Sequence, residues 1–491
     1  MTLKPSARLL VSSIPIIVLT LLLSLSVSIF KSDSILGASQ VALLVSAGVA
    51  IALSMWLFKT PWKAFENGMK ENMADVVVAL VILLFIGAVS GTWTTSGVVP
   101  AFICYGIKII NPKVFLMTAC IICAIVSLMT GSSWTTIATI GVALMGIGKA
   151  EGFSDGMIAG AIISGAYFGD KISPLSDTTV MASSMCKVPL FTHIRYMLFT
   201  TVPSITITLV IFLVLGLSHS GDQASMVSEY SEVLSSRFNL SPWLMAVPLA
   251  TAIMIARKMP ALAVLALSSL IAAVFGLIFQ PDIIESIGSE IVPGASRAKI
   301  MLAGTVKSIY DSVSVSTGNP EVDTLVASRG MLGMMNTIFL IMAAMCFGAA
   351  MKASGMLDTI GSAIVRFAKA RVSMVSSTVA TGVFLNAVIS DQYLAIIITS
   401  NLFRNVFESK GYENRLLSRS VEDSATVTSP LIPWSSCGMT QATILSVPTL
   451  AYLPFCFFNI ISPLMSIAVA VTGYRIFRRK DCGEVLPTES R

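Results

Sequence analysis

Charge is what this sequence has least of. Aspartate, glutamate, lysine and arginine make up 12% of its 491 residues, about half of the roughly 25% usual in a soluble domain. A surface that faces water needs more charge than that, so a soluble globule is excluded. Disorder is excluded as well, because 55% of the residues are hydrophobic and disordered chains are poor in apolar residues. Histidine is scarce, with only His193 and His219. His193, beside Arg195 at a helix start, reads as an interfacial residue rather than a proton relay, and His219 as a loop residue. Nucleotide and hydrolase signatures are missing. No G-x-x-x-x-G-K-[ST] occurs, and Gly146-Ile147-Gly148-Lys149-Ala150 fails that pattern, so ATP drive has no support. There is no H-E-x-x-H, no G-x-S-x-G and no zinc-type Cys/His spacing, so neither an enzyme nor a resident cofactor is expected. No block of five or six basic residues occurs, and the net charge of +6 fits basic cytoplasmic loops rather than nucleic-acid binding.

What is present is apolar length. Mean hydropathy is +0.84. Lys4 and Arg8 precede an apolar run from Leu9 to Phe30. That run is too long for a signal-peptide core and predicts a first transmembrane helix with its N-terminus inside. Further apolar stretches recur along the chain, for example 39–58, 114–129, 191–217, 260–279 and 335–353. Others are too short to span alone, since a crossing takes about 20 residues. Several are interrupted by Gly, Ser, Thr and Pro, as in Gly91-Thr92-Trp93-Thr94-Thr95-Ser96-Gly97 and Gly131-Ser132-Ser133-Trp134-Thr135-Thr136. Non-helical backbone at membrane depth survives only where it lines a cavity or is buried in protein. The fold expected is therefore an all-α polytopic membrane protein of about 10–12 transmembrane helices, in two structural repeats with broken or re-entrant helices. Most cysteines lie inside apolar runs, and Cys120-Ile-Ile-Cys123 reads as core packing rather than metal or redox chemistry.

The repeat shows in four matches. Phe85-Ile86-Gly87-Ala88 resembles Phe347-Gly348-Ala349-Ala350, and Ser132-Ser133-Trp134 falls opposite Ser390-Asp391-Gln392, 258 positions later. Ser173-Pro174 falls opposite Ser429-Pro430, and Pro203 opposite Pro454, so the offset drifts from 258 to 256 to 251. The organisation predicted is an N-terminal helix pair at 1–74, a first repeat at 75–217, a linker at 218–334 with two helices and polar loops, a second repeat at 335–477 and a basic cytoplasmic tail at 478–491. Lys108 and Lys113 stand where Arg366, Lys369 and Arg371 stand in the second half. The positive-inside rule puts both clusters in the cytoplasm, whereas an inverted repeat puts them on opposite sides.

A few polar residues interrupt this apolar chain. An ionised carboxylate at the bilayer centre costs about 2.5–3.5 kcal/mol, so one that persists there is paired, hydrated or holding an ion. The first cluster is Gly169-Asp170-Lys171-Ile172-Ser173-Pro174-Leu175-Ser176-Asp177-Thr178-Thr179. It offers carboxylates, hydroxyls and a proline break, the oxygen donors a hard cation takes. Its plain alternative is a polar loop with an Asp-Lys pair and an N-cap at Asp177. The second is Asn386-Ala387-Val388-Ile389-Ser390-Asp391-Gln392, or else a short external turn. The third is Glu422-Asp423-Ser424-Ala425-Thr426-Val427-Thr428-Ser429-Pro430, read as the repeat partner of the first, or else a solvated cluster with Arg415 and Arg419. Two close carboxylates do not ionise together easily, so such a pair can hold a proton or a sodium ion in turn.

These stretches resemble a known family. Ile86-Gly87 through Gly97, Thr130-Gly131-Ser132-Ser133-Trp134, and Ile163 to Thr179 resemble the NhaC family of sodium/proton antiporters. Ser316-Thr317-Gly318-Asn319 with Arg329-Gly330-Gly333-Met334 is similar to that family's middle region. The G-D-K-x-S-P-L-S-D-T-T stretch is the most specific part. The resemblance implies exchange of Na+ for H+ by alternating access, electroneutral or electrogenic. Relatives that exchange malate and lactate keep the substrate open, and Thr135 and Val180 stand where some relatives have Gly or Ala and Asn.

The ion and proton site expected comprises Asp170, Asp177, Asp391, Asp423 and Glu422, with Na+ at the four aspartates. Ser132, Ser133, Ser173, Thr178, Asn386, Ser390 and Ser429 are the neutral ligands expected. The competing readings are a Na+/H+-coupled exchanger of small organic anions or amino acids, with Lys171 or Arg404 holding the carboxylate, and a non-transporting scaffold. Expected partners are Na+, H+, the lipid bilayer, a small carboxylate under the competing reading, and a second copy in a homodimer. The expected place is the bacterial cytoplasmic membrane, with both termini inside.

Overall fold

In hydrocarbon every backbone N–H and C=O needs an internal partner, and this chain meets that need with helices. The computed structural model describes residues 5–30, 37–109, 111–218, 231–257, 259–368 and 370–478. Lys4, His219, Lys369, Arg479 and Lys480, and with the last two nearly all of the basic tail, lie outside them.

The first part of the chain runs α1 (Pro5–Phe30), α2 (Ala38–Leu53), α3 (Trp62–Thr95), α4 (Val98–Ile109), α5 (Phe115–Thr130), α6 (Ser133–Thr136), α7 (Val142–Ala150), α8 (Asp155–Ile172), α9 (Asp177–Met185) and α10 (Leu190–Leu217). The middle holds α11 (Ser231–Arg237), α12 (Ala246–Ala256), α13 (Ala261–Phe279), α14 (Pro281–Ser289), α15 (Arg297–Tyr310) and α16 (Pro320–Leu325). The last part runs α17 (Met335–Ala353), α18 (Met356–Val365), α19 (Arg371–Ile389), α20 (Gln392–Ser409), α21 (Asn414–Val421), α22 (Ser436–Leu445), α23 (Thr449–Tyr452) and α24 (Phe457–Thr472). Among the described residues, seven helices are long and apolar enough to cross a membrane. Three bent pairs raise this to as many as ten, the lower end of the range expected from sequence. One is Leu80–Thr95 with Val98–Gly106, bent by 69° at Ser96-Gly97.

Small residues let the helices of the site approach closely. A Cβ at Gly165 would collide with the Cys120 carbonyl, and one at Gly169 with the Ala124 carbonyl. The two glycines are one turn apart, so α8 lies backbone to backbone on α5. Cys120 and Cys123 are buried and unbridged in that contact, as core packing requires. Gly165→Val is expected to cost about 1–3 kcal/mol or more by overpacking. Size-exclusion profiles of detergent-solubilised protein check this, since aggregation or loss of the monodisperse peak is the expected outcome.

The middle region is more ordered than its polar composition suggests. α14 and α15 meet at Gly288 and Gly304, where neither glycine has room for a side chain. Val313–Ser314 and Ala327–Ser328 pair as a two-stranded antiparallel ribbon. Gly330, at φ 59°, packs against Gly87 of α3. Thr317 donates its N–H and its hydroxyl to Asp323, each at 2.6 Å. Those bonds hold the Asp323 carboxyl below the usual carboxylate range. The family-like residues of this region therefore shape turns.

A bonding pattern of the first half returns 259 positions later. Ser127 Oγ donates to Ala166 O, and Asn386 Nδ2 to Ala425 O. Ser133 bonds Asp170, and Ser429 bonds Gln392. Gly131 and Ser390 both end a helix at positive φ (68° and 63°), and Ser132 and Asp391 cap the next one. Ser176 and Ser435 cap α9 and α22. The offset holds at 259 through these pairs, where matching identical residues suggested a drift. Pairing Ser132 with Ser390 slips by one because the left-handed turn uses Gly in one half and Ser in the other. Ser429 matches Asp170, not Ser173. Pro454 lies in a 3-10 turn, and the proline inside α24 is Pro463, 260 positions after Pro203.

Candidate functional site

A cavity of about 940 Å³ opens where the α5–α6 and α8–α9 breaks face α20, with walls from α3, α12 and α13. Two local features build its floor. Gly131 takes a left-handed conformation, and Leu175 packs so closely on it that a Cβ has no space. The chain then turns directly into α6, so the N–H and hydroxyl of Ser133 reach Asp170. Asp170 Oδ2 accepts both, at 3.2 and 2.7 Å. Asp170 is 5% exposed and lines the cavity, and the Ser176 hydroxyl is also within reach of its carboxylate.

The structure brings together some of the residues chosen from sequence. Asp170, Ser132, Ser133, Asp177 and Thr178 all line the cavity. Asp177 is exposed at its edge, and the N-cap of α9 is Ser176 rather than Asp177. Thr178 Oγ1 lies 3.0 Å from Ser176 Oγ. Ser132 also caps α6, accepting from the Thr135 N–H at 3.2 Å. Asp391 is buried in the α19–α20 break, where it caps α20 through the Leu394 N–H at 2.9 Å. Its neighbours Gln392 and Tyr393 line the cavity.

Other residues are committed elsewhere. Ser173 donates to Leu128 O and accepts from the Leu175 N–H, which fixes the loop. Ser429 donates to Gln392 Oε1 at 3.2 Å. Asn386 donates to Ala425 O and to Thr428 Oγ1, with its carbonyl oxygen buried and unmatched. Ser390 Oγ is also buried without a partner, beside Asp391. His193 is fully buried against Ser418 at 2.9 Å, not interfacial.

Asp423, the fourth aspartate of the expected sodium site, has partners of its own. It is fully buried and paired with Lys171, and the same oxygen accepts from Ser462 at 3.0 Å and Thr200 at 3.1 Å. That oxygen takes three donors, and the other has no hydrogen-bond partner among the described residues. Arg419 stands 4.0 Å from the other oxygen and 4.8 Å over the Tyr196 ring. Arg419, Glu422 and Asp423 are all buried, so the third cluster is no solvated loop. It falls on a π-turn, Glu422–Thr426, of a kind often found at functional sites. Among the described residues no three His, Cys, Asp or Glu side chains gather as a metal site. Thr200 and Ser462 escape sequence reading because hydroxyls in apolar helices ordinarily bond their own backbone. Gln392 stands in a quoted cluster, and its polarity inside an apolar run is the signal that could have singled it out.

Comparisons with known proteins bear on this fold. The model of the Na+/H+ antiporter family matches residues 2–186 and 165–474. The Na(+)/H(+) antiporter NhaC of Bacillus subtilis is 33% identical over 432 residues, 88% of this chain and 91% of that protein. The malate-2H(+)/Na(+)-lactate antiporter of the same organism is 32% identical over 444 residues, 90% of this chain and 91% of its own. The arginine/ornithine antiporter ArcD of Halobacterium salinarum is 32% identical over 436 residues, 87% and 85% of the two chains. With matches running from residue 2 to residue 474 on a chain folded for the bilayer, this multi-pass membrane protein belongs to the Na+/H+ antiporter family.

Proposed function

We propose that the protein exchanges Na+ for H+ by alternating access, with Asp170 as the carboxylate for which the two ions compete. One observation carries the reading. Asp170 is buried in the lining of a cavity, held by the N–H and hydroxyl of Ser133 with the Ser176 hydroxyl close by. No lysine or arginine among the described residues pairs with it. A carboxylate without a counter-charge at that depth takes up a cation or a proton. Ser132, Thr178 and Asp177 bring further oxygens to the same space, as a hard cation needs. Asp391 acts by holding the helix break in place.

The organic-anion reading has less support. Neither cation it relies on lines the cavity. Lys171 is taken by Asp423, and Arg404 donates to the Met185 carbonyl at 3.0 Å. The expected place is the bacterial cytoplasmic membrane. Arg475 and Arg478, at the end of the described residues, favour the cytoplasmic side for that end of α24.

Proteoliposomes with an imposed pH gradient test the reading. Added NaCl should collapse the gradient, while malate or lactate without sodium should not. Malate–lactate counterflow with no sodium-dependent proton flux would sink it. Ser133→Ala removes the hydroxyl bond and keeps the backbone N–H. Hydrogen bonds to charged groups are worth about 1.5–3 kcal/mol, so the half-saturating Na+ concentration should rise roughly tenfold in the same assay.

A further inference from the structure

A bare sodium ion fills very little of a 940 Å³ cavity. Small-molecule sites run from about 300 to 1,000 Å³, so this one has the dimensions of an organic ligand's pocket. Its lining is divided. Asp170 and Asp177 line it beside several Ser and Thr hydroxyls, and no lysine or arginine belongs to its described lining. The rest of the wall joins Gln392 and Tyr393 to apolar side chains, among them Met129, Met181, Met185 and Met259. Methionine walls are flexible and adapt to alkyl groups of different shape. Asp170 is 95% buried and lines the cavity, with Ser133 on Oδ2 and the Ser176 hydroxyl also within reach of the carboxylate, and it has no lysine or arginine partner among the described residues.

We infer that the cavity also binds small primary alkylammonium ions, with the ammonium on Asp170 and the alkyl chain along the methionine wall. The inference rests on the reading of Asp170 as the cation site. Because Ser133 already occupies Oδ2 with two donors and the Ser176 hydroxyl is within reach, Asp170 has at most one oxygen to offer. A compact ammonium head suits that better than a planar guanidinium, which pairs best with both oxygens of a carboxylate. The remaining ammonium protons face the oxygens of Thr178, Ser132 and Asp177. An organic anion of the same size would meet two carboxylates and no counter-charge among the described lining residues.

Purified wild-type protein in detergent is titrated with methylammonium, n-butylammonium, NaCl and sodium-free malate, and its melting temperature is followed. Each buried methylene adds about fourfold in affinity, so n-butylammonium should half-saturate the shift at a concentration at least about tenfold below methylammonium. It should also displace labelled Na+ from the protein. Asp170→Asn should abolish the shift from both amines. Met181→Ala and Met259→Ala together should shrink the butyl advantage at least threefold and leave the response to NaCl unchanged. Equal effects of the two amines, or a shift that survives Asp170→Asn, would overturn the inference. If NaCl stabilises the protein and n-butylammonium does not, the inference fails and the sodium reading stands. If the amine stabilises it through Asp170 and NaCl does not, the sodium reading fails and the inference stands.

Discussion

Asp170→Asn is expected to lower sodium-dependent proton exchange at least about 100-fold, close to 2.8 kcal/mol at 1.4 kcal/mol per decade, while leaving a folded protein. Asparagine has nearly the same shape, and its amide oxygen can accept the bonds that Ser133 now gives to Oδ2 at 2.7 and 3.2 Å. What it lacks is the charge for Na+ and the basicity for H+. Asp177→Asn should do far less, because Asp177 is exposed at the cavity edge, where water replaces what the carboxylate offered. Asp391→Asn should cost little, since Asn caps helices about as well as Asp, whereas Asp391→Ala should cost about 1 kcal/mol of stability by removing the cap on Leu394. The measurement is proton flux against Na+ concentration in proteoliposomes, normalised to reconstituted protein. Full exchange by Asp170→Asn would remove Asp170 from the site. Equal losses in all three Asn variants would mean that the cavity has no single ion-holding carboxylate.

Much of this was legible in the sequence, for reasons that particular residues make plain. Composition places the chain in a membrane because 12% charge has no other home. Breaks at Gly131-Ser132 and Ser390-Asp391 show as polar residues that a continuous apolar helix has no use for, and both hold a positive-φ helix end followed by a cap. Asp170 stood out because it opens a run of carboxylates, hydroxyls and a proline in an apolar chain, although a polar loop would have explained the same residues. The register of the repeat was less legible. Identical residues are a poor guide when a structural role passes between residue types: Gly131 and Ser390 share one backbone conformation, and Asp170 and Ser429 share one place in the bonding pattern with opposite chemistry. Pairing across the molecule was not legible at all. Lys171 and Asp423 are 252 positions apart. Beside Asp170, Lys171 looked like a local partner for that carboxylate, and only the packing of α8 against the π-turn after α21 shows it is engaged elsewhere. The same packing gives Asp423 the partners Lys171, Thr200 and Ser462, none of them near it in the sequence.

Asp423→Asn is therefore expected to act on the fold rather than on ion affinity, and more severely than any other change in the buried network. One Asp423 oxygen gathers Lys171 from α8, Thr200 from α10 and Ser462 from α24, so a single carboxylate joins three helices to the π-turn. Removing its charge leaves Lys171 and Arg419 buried with Glu422 alone to compensate, and neither Glu422 oxygen has a hydrogen-bond partner among the described residues. Removing one partner of a buried ion pair costs about 3–5 kcal/mol. Lys171→Met should cost less, because Asp423 keeps the Thr200 and Ser462 hydroxyls and has Arg419 4.0 Å from its other oxygen. Combining Lys171→Met with Asp423→Asn should be less damaging than Asp423→Asn alone, since the stranded ammonium is gone. Melting temperatures in one detergent give the order: wild type highest, then Lys171→Met, then the double variant, with Asp423→Asn lowest. A stable Asp423→Asn protein whose half-saturating Na+ concentration has moved tenfold or more would place Asp423 in the sodium site. A stable protein with unchanged sodium affinity would mean that the hydroxyls, not the charge, hold these helices together.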